Sequence, residues 1–427
     1  MKTSLLSVFF ILFSGFLIAQ NRDLNYYIEQ AKANSPLINK NINENKLIQL
    51  NLQQVNRILS RPVVNVEADV LFAPIISHDN NSNRFEWVSA GANEYTGYDL
   101  AISNGGQYQA FVSVTQPLFT GSIYKSFSKK ADISNLINEN NIALTNHEIE
   151  QLVSHQYILC LKSKNQSKIS LSLINELGQQ LQIMQKLVDN AIYKQTDLLL
   201  LQIEYQNYKL QYKTFQTDYK TNLLDLNLFC GINDTNIVDL QETNFELKPN
   251  NLTRSKFLTS YKLDSLNIET DQSLYEQKYK PRLNLYANAG MSAIYLPDIN
   301  RFGFSTGLTF SWNIFDGNQR KIEREKTAVK LQTVKFEKQN FITQFELNKN
   351  KYLKRISSVT QKIAVTEKQL KGYDQLLDLY KLELSQAQVS VMDLKNLFKD
   401  IAAKKQENML LKMEKQALIN LYNYWNY

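Results

Sequence analysis

The sequence predicts an α+β membrane protein built as a tandem repeat, each half running helix, strand, strand, long helix, short helix. Three observations carry this. A short stretch occurs twice, as Gln116-Pro117-Leu118-Phe119-Thr120-Gly121 and as Trp312-Asn313-Ile314-Phe315-Asp316-Gly317. In both, a strand-like segment ends in aliphatic-Phe-x-Gly and a long helical pattern begins. The two Phe residues are 196 positions apart, and the same offset returns in two heptad seams downstream. The segments leading into the repeated stretch alternate with period two, apolar on one side and small or polar on the other.

Residues 1–19 set the compartment. Lys2 gives a positive start, Leu5 to Ile18 are almost wholly apolar, and Ala19-Gln20 is a plausible cleavage point. The run is short for a membrane helix, which needs ~20 residues, so we read a removed signal peptide. An exported chain without a later apolar helix is periplasmic, secreted, or a β-barrel of the outer membrane. The charge of +7 is spread along the chain without a basic cluster, which argues against nucleic acid as a partner. Only 13 Gly and 7 Pro among 427 residues leave room for long unbroken helices.

The mature chain opens with a helix that Asp23 can cap, with Leu24, Tyr27, Ile28 and Ala31 at helical spacing. Asn34-Ser35-Pro36 breaks and restarts it, Ser35 as N-cap and Pro36 in the first turn. Pro62 stops the helix, and a strand follows over about 62–73. Val64, Val66, Ala68, Val70 and Phe72 share one of its faces, and Asn65, Glu67 and Asp69 the other. A loop of roughly thirty residues (Pro74 to Gly106) precedes the returning strand, about 107–119. The helical stretch about 121–230 has a heptad seam of Ile174, Leu177, Leu181, Met184, Val188 and Ala191. It turns near Tyr193 to Thr196 and returns with Leu201, Tyr205, Tyr208, Tyr212, Phe215 and Tyr219. Its first arm would be ~105 Å long at 1.5 Å per residue.

Residues 232–260 read as a weakly structured linker. The order then repeats. A helix runs to Lys280, and strands follow at about 281–294 and 302–315, with a turn at Pro297-Asp298. A second long hairpin covers about 317–427. Phe302, Phe304, Leu308, Phe310, Trp312 and Ile314 face one way on the last strand, opposite small polar residues, as a lipid-facing strand requires. The second seam is Leu370, Tyr373, Leu377, Tyr380, Leu384 and Ala387. The first repeat thus spans 20–230 and the second 231–427. Two repeats supply only four strands. A closed membrane barrel needs at least eight, because open edges cannot sit in lipid. Other copies must complete it, and a trimer gives twelve strands.

These features together resemble the TolC family of outer membrane efflux proteins over essentially the whole mature chain. The resemblance rests on Asn34-Ser35-Pro36-Leu37, Arg61-Pro62, Lys280-Pro281, the Phe119-x-Gly121 and Phe315-x-Gly317 strand-to-helix junctions, and the Thr196-Asp197-Leu198 and Met392-Asp393-Leu394 tips. It implies a homotrimer whose 12-stranded barrel in the outer membrane continues as a coiled-coil tunnel through the periplasm. The duct docks on a periplasmic adaptor (membrane fusion) protein and serves an inner-membrane RND or ABC-type pump, for efflux or type I secretion. It also implies that the tips contact the adaptor through Ala191, Thr196, Asp197 and Leu198, and through Ala387, Val391, Met392 and Leu394. The family closes its periplasmic aperture with acidic rings. Asp393 matches one ring. Asn396 stands where a second acid is common, and Val389 where some members have a basic latch, so a two-ring gate with a latch is not expected. Independently of the family, Asp197 and Asp393 are suited to capping the second helix of each hairpin.

Cys160 and Cys230 are the only cysteines, either two packed thiols or a disulfide permitted by an oxidising periplasm. No catalytic set, P-loop or cofactor motif is present, and His78, His147 and His155 are not spaced as metal ligands, so neither enzymatic activity nor a cofactor is expected. The rival from another class is an exported coiled-coil structural protein or adhesin without channel activity. It explains the heptads and the export but not the four strands placed between them.

Overall fold

The computed structural model describes residues 22–72, 74–86, 93–97, 106–249, 255–294 and 302–427. The expected signal peptide and the turn at Pro297-Asp298 lie outside these. The helices are α1 (Leu24–Asn34), α2 (Pro36–Ser60), α3 (Gly121–Asp189), α4 (Gln195–Phe229), α5 (Lys256–Glu276), α6 (Gln319–Ser385) and α7 (Val391–Trp425). The strands are β1 (Val63–Phe72), β2 (Ile75–Ser77), β3 (Arg84–Glu86), β4 (Tyr95–Thr96), β5 (Gly106–Leu118), β6 (Arg282–Ile294) and β7 (Phe302–Ser311). The last strand is shorter than expected, ending at Ser311, and its helix begins at Gln319. The chain divides into two units. One holds the residues up to Lys40 with Asn141–Thr259 and Gln339–Tyr427. The other holds Asn41–Asn140 and Ser260–Lys338.

The helical unit starts as its sequence dictates. The Tyr26 amide donates to Asp23 Oδ1 at 2.9 Å, and the Ile38 amide to Ser35 Oγ at 3.4 Å, which caps α2 with Pro36 in its first turn. Tyr27, Ile28 and Ala31, the apolar stripe of α1, are buried against Val153, Tyr157, Leu161, Leu223 and Leu226. Cys160 and Cys230 are fully buried in that same cluster as free thiols. Burial pushes both up to about 12, so they stay protonated and pack as small apolar groups. The heptad seams form a second core, with Ile174, Leu177 and Met184 against Leu201 and Tyr208, and with Leu377, Leu384, Leu397 and Phe398 of the other hairpin.

The stretch after α4 is irregular as expected, but over the described residues 232–249 it is not a loose linker. It has no helix or strand, yet Leu240 is fully buried. Its backbone is held by side chains from distant helices. Tyr157 Oη donates to the Gln241 carbonyl at 2.8 Å, and Tyr219 Oη to that of Val238 at 2.6 Å. Asn423 accepts from the Lys248 amide at 2.9 Å and donates to the Glu246 carbonyl at 2.8 Å. An extended segment has no ladder of its own, so these bonds satisfy groups that burial would otherwise strand.

The sheet unit holds one four-stranded antiparallel sheet in the order β1-β5-β6-β7. Val66, Val112, Ala289 and Phe304 lie directly opposite one another across all four strands, and the next row is Glu67, Phe111, Gly290 and Gly303. Alternation therefore sorts the whole sheet into one apolar and one largely polar face. The apolar face is bare: Val66 is 80% exposed and Phe304 86%. On the other face Gln109 donates to Asp69 at 2.9 Å and Ser113 to Glu67 at 3.0 Å. Tyr286 lies over Gly307, where a Cβ would come within 2.5 Å of its hydroxyl. The expected thirty-residue loop contains a second, small sheet of order β3-β2-β4, within which Asp79 accepts from the Asn93 and Glu94 amides.

Beside the start of β6, Glu276 receives Arg324 Nε and Arg320 Nε at 2.7 Å. Burial works against its charge, but the hydrogen bonds from Arg324, Arg320 and Gln272 win and hold it at about 2.

Candidate functional site

The two hairpin tips close in the same way, at the offset of 196. In the first, the Ile192 amide donates to the Leu187 carbonyl at 2.9 Å and the Ala191 amide to Val188 at 2.9 Å. In the second, Gln388 donates to Glu383 at 2.8 Å and Ala387 to Leu384 at 3.0 Å. This pattern needs a left-handed residue just past the helix, and Ala191 and Ala387 both sit at φ 58°. Glycine would fit without strain. A left-handed Ala costs ~1–2 kcal/mol, of which glycine's greater chain entropy would offset ~0.5–1. Ala191→Gly and Ala387→Gly are each expected to stabilise the helical unit by about 0.5–1 kcal/mol, read as a higher denaturant midpoint.

The tips also touch. Tyr193 Oη donates to the Val389 carbonyl at 2.7 Å, a bond between residues 196 apart in sequence. Burial pushes the Tyr193 phenol up. Position 389, where the resemblance puts a latch, is thus a buried Val held by its backbone.

Asp197 and Asp393 stand at the third helical position, one turn inside the N-cap expected for them. Asp197 still caps, accepting from the Lys194 amide at 3.1 Å, the return half of a capping box. Asp393 has no hydrogen bond or ion pair among the described residues. It is exposed, with Met392 and Asn396, on the side of α7 away from Leu394, Leu397 and Phe398. Of the other tip residues, Ala191, Thr196 and Ala387 are exposed, whereas Leu198, Val391 and Leu394 are buried in the tip core. Asp400 escaped the sequence reading. It is exposed two turns beyond Asp393, and the seven-residue spacing on one helix was the available signal.

The two strand-to-helix junctions differ. At the first, Phe119 alone turns left-handed, at φ 56° and 87% exposed, and Gly121 is the first residue of α3. At the second, Gly317 and Asn318 make the turn, both at φ 66°, while Phe315 is 81% exposed. Asp316 accepts from the Arg320 amide at 2.8 Å and from the Tyr279 hydroxyl. Among the described residues no helix is long and apolar enough to cross a membrane, and no His, Cys, Asp and Glu group could hold a metal.

The sequence matches no protein-family profile and no curated protein. Solved structures do match. CusC, whose crystal structures describe transmembrane channel formation, is 11% identical at a TM-score of 0.71, over 94% of this chain and 92% of that one. The outer membrane protein VceC of Vibrio cholerae is 12% identical at 0.69, over 94% and 96%. The MtrE outer membrane channel of Neisseria gonorrhoeae, in its open state, is 11% identical at 0.69, over 94% and 88%. This chain therefore has the fold of those outer membrane channels.

Proposed function

We propose that a chain with this fold and these surfaces is an outer membrane exit duct, a homotrimer of the TolC-like kind. It would pass substrates from an inner-membrane pump through the periplasm to the outside. One observation carries the reading. The four-stranded sheet has a continuous bare apolar face, and the outer edges of β1 and β7 are unpaired among the described residues. In lipid such a face is stable and such edges are not, so copies must pair β1 with β7 and close a ring of twelve strands. A second feature supports association. Ile203, Leu210 and Leu224 stand at heptad positions on α4 with their side chains exposed, a seam that another helix would cover.

The sheet then lies in the outer membrane and the hairpins in the periplasm. The exposed tip residues Ala191, Thr196, Ala387 and Met392 are those available to a periplasmic adaptor, with an RND or ABC-type pump beyond it. Asp393 and Asn396 face away from the tip core and so suit a periplasmic aperture. Three Asp393 carboxylates brought close would favour bound cations. The reading is of a conduit rather than an enzyme.

Single-channel conductance in a planar bilayer tests it. Small cation-preferring steps are expected, and Asp393→Ala should enlarge them or lower the cation preference. A conducting trimer indifferent to Asp393→Ala keeps the duct and removes the aperture role. Folded protein that neither inserts nor conducts would restore the exported coiled-coil scaffold.

A further inference from the structure

The two strand-to-helix junctions follow strands of different standing. The first follows β5, which is paired on both sides, with β1 and β6. The second follows β7, which pairs with β6 alone and is an edge of the sheet among the described residues. After Ser311 the chain runs through 312–318 with neither helix nor strand before α6 begins. An irregular exit from an edge strand has no second neighbour to fix its course.

Side chains around the end of α5 and the start of α6 fix it instead. Trp312 Nε1 donates to the Tyr279 carbonyl at 3.2 Å. The Tyr279 hydroxyl donates to Asp316, which also accepts from the Arg320 amide at 2.8 Å. The Arg320 guanidinium lies 5.1 Å over the Tyr279 ring. Glu276, the last residue of α5, ties both arginines of the first two turns of α6, one on each carboxylate oxygen. Gln272 donates to Glu276 at 3.0 Å and accepts from Thr327 at 2.8 Å. Charge-assisted bonds are stronger than neutral ones, and here they form one network.

The first junction is built without these groups. Counting from Pro62 and Pro281, Arg57 and Ser60 stand where the second repeat has Glu276 and Tyr279. At the offset of 196, Thr120, Tyr124 and Ser128 stand for Asp316, Arg320 and Arg324. Among the described residues one side-chain bond holds the turn residues 119–121, from the Thr120 hydroxyl to the Leu59 carbonyl at 3.1 Å. The clamp thus occurs where a strand lacks a neighbour and not where it has two.

We propose that Glu276 is a positioning residue for assembly: through Arg320, Arg324 and Tyr279 it presets the exit of β7, so that the β1 edge of another copy meets a strand already in place. This role rests on the reading that copies close a ring through β1 and β7. Holding an edge in its paired geometry before contact removes an ordering cost from association.

The test refolds the full chain into phosphatidylcholine vesicles at a series of protein-to-lipid ratios. Gel mobility of the unheated sample gives the assembled fraction, and circular dichroism the helix content. Glu276→Gln should keep its helix content and need a several-fold higher ratio for half assembly. Arg320→Gln with Arg324→Gln should give the same shift, and adding Glu276→Gln to that pair should add nothing, because the same interaction is already lost. Asp271→Asn is the control. It removes another ion pair of α5, with Lys130, and should assemble at the unsubstituted ratio. An equal shift in Asp271→Asn would be a general effect of charge on α5 and overturns the positioning role. Assembly of Glu276→Gln at the unsubstituted ratio, or a shift that comes with lost helix content, also overturns it and leaves the ring. Unsubstituted protein that stays single at every ratio removes the ring and the role with it.

Discussion

Phe304→Arg is expected to prevent stable insertion. Phe304 sits in the row Val66, Val112, Ala289, Phe304, at the middle of β5 and far from either end of β6. Its ring is exposed, and in the proposed duct lipid is its partner. An arginine on the lipid face near the bilayer centre costs ~2–4 kcal/mol, and a trimer would carry the charge three times. Refolding into phosphatidylcholine vesicles, followed in a urea titration, should show the midpoint collapse or no inserted product. Ser305→Arg is the control. It is the next residue on the same strand, on the opposite face, and should insert with a change within ~0.5 kcal/mol. Equal loss from both variants would mean that charge on this strand is harmful whichever way it points, and the face assignment would fall.

The second large effect is steric. Gly290 is directly opposite Phe111 on β5 and Gly303 on β7. A Cβ at 290 would lie 2.2 Å from the Ala110 carbonyl oxygen and 2.4 Å from the Phe111 Cα, both backbone atoms that cannot swing aside. Gly290→Ala should therefore break the β5–β6 ladder where it is centred, and with it the sheet. Gly303 is the direct partner of Gly290 on the neighbouring strand, yet a Cβ there meets nothing within 4 Å. Gly303→Ala should assemble normally. Gel mobility of the unheated, assembled protein distinguishes the two, and assembly of Gly290→Ala at the level of Gly303→Ala would refute the close approach.

Much of this fold was legible because it is periodic. Period two placed the faces of the four long strands, and period seven the seams that became the tip core. The offset of 196 found the paired tips, but not that Ala191 and Ala387, read as the last members of the two seams, lie past the helix ends in left-handed turns. What stayed hidden has no period. The 232–249 segment is held by Tyr157, Tyr219, Gln416 and Asn423, residues scattered through other helices, and nothing local in its own sequence announces them. The small sheet in the first loop has strands of two and three residues, too short for alternation to register. At the tips, an Asp-Leu pair signals a helix start but does not say which turn position the carboxylate takes. Asp197 and Asp393 therefore fell one turn from the expected place. The grip of Arg320 and Arg324 on Glu276 spans two helices, and only their packing creates it.

In the proposed trimer, the edges of β1 and β7, bare among the described residues, also set how the protein behaves in dilute solution. A chain whose sheet closes only against other chains has no complete folded state alone, so its stability is a function of concentration as well as temperature. Folding and association become one reaction with a steep dependence on protomer number. Lone copies present two adhesive strands to any partner they meet. Dilution should dismantle what moderate heat leaves intact, and a mixed population carrying a few defective chains should lose assembled product out of proportion to their share.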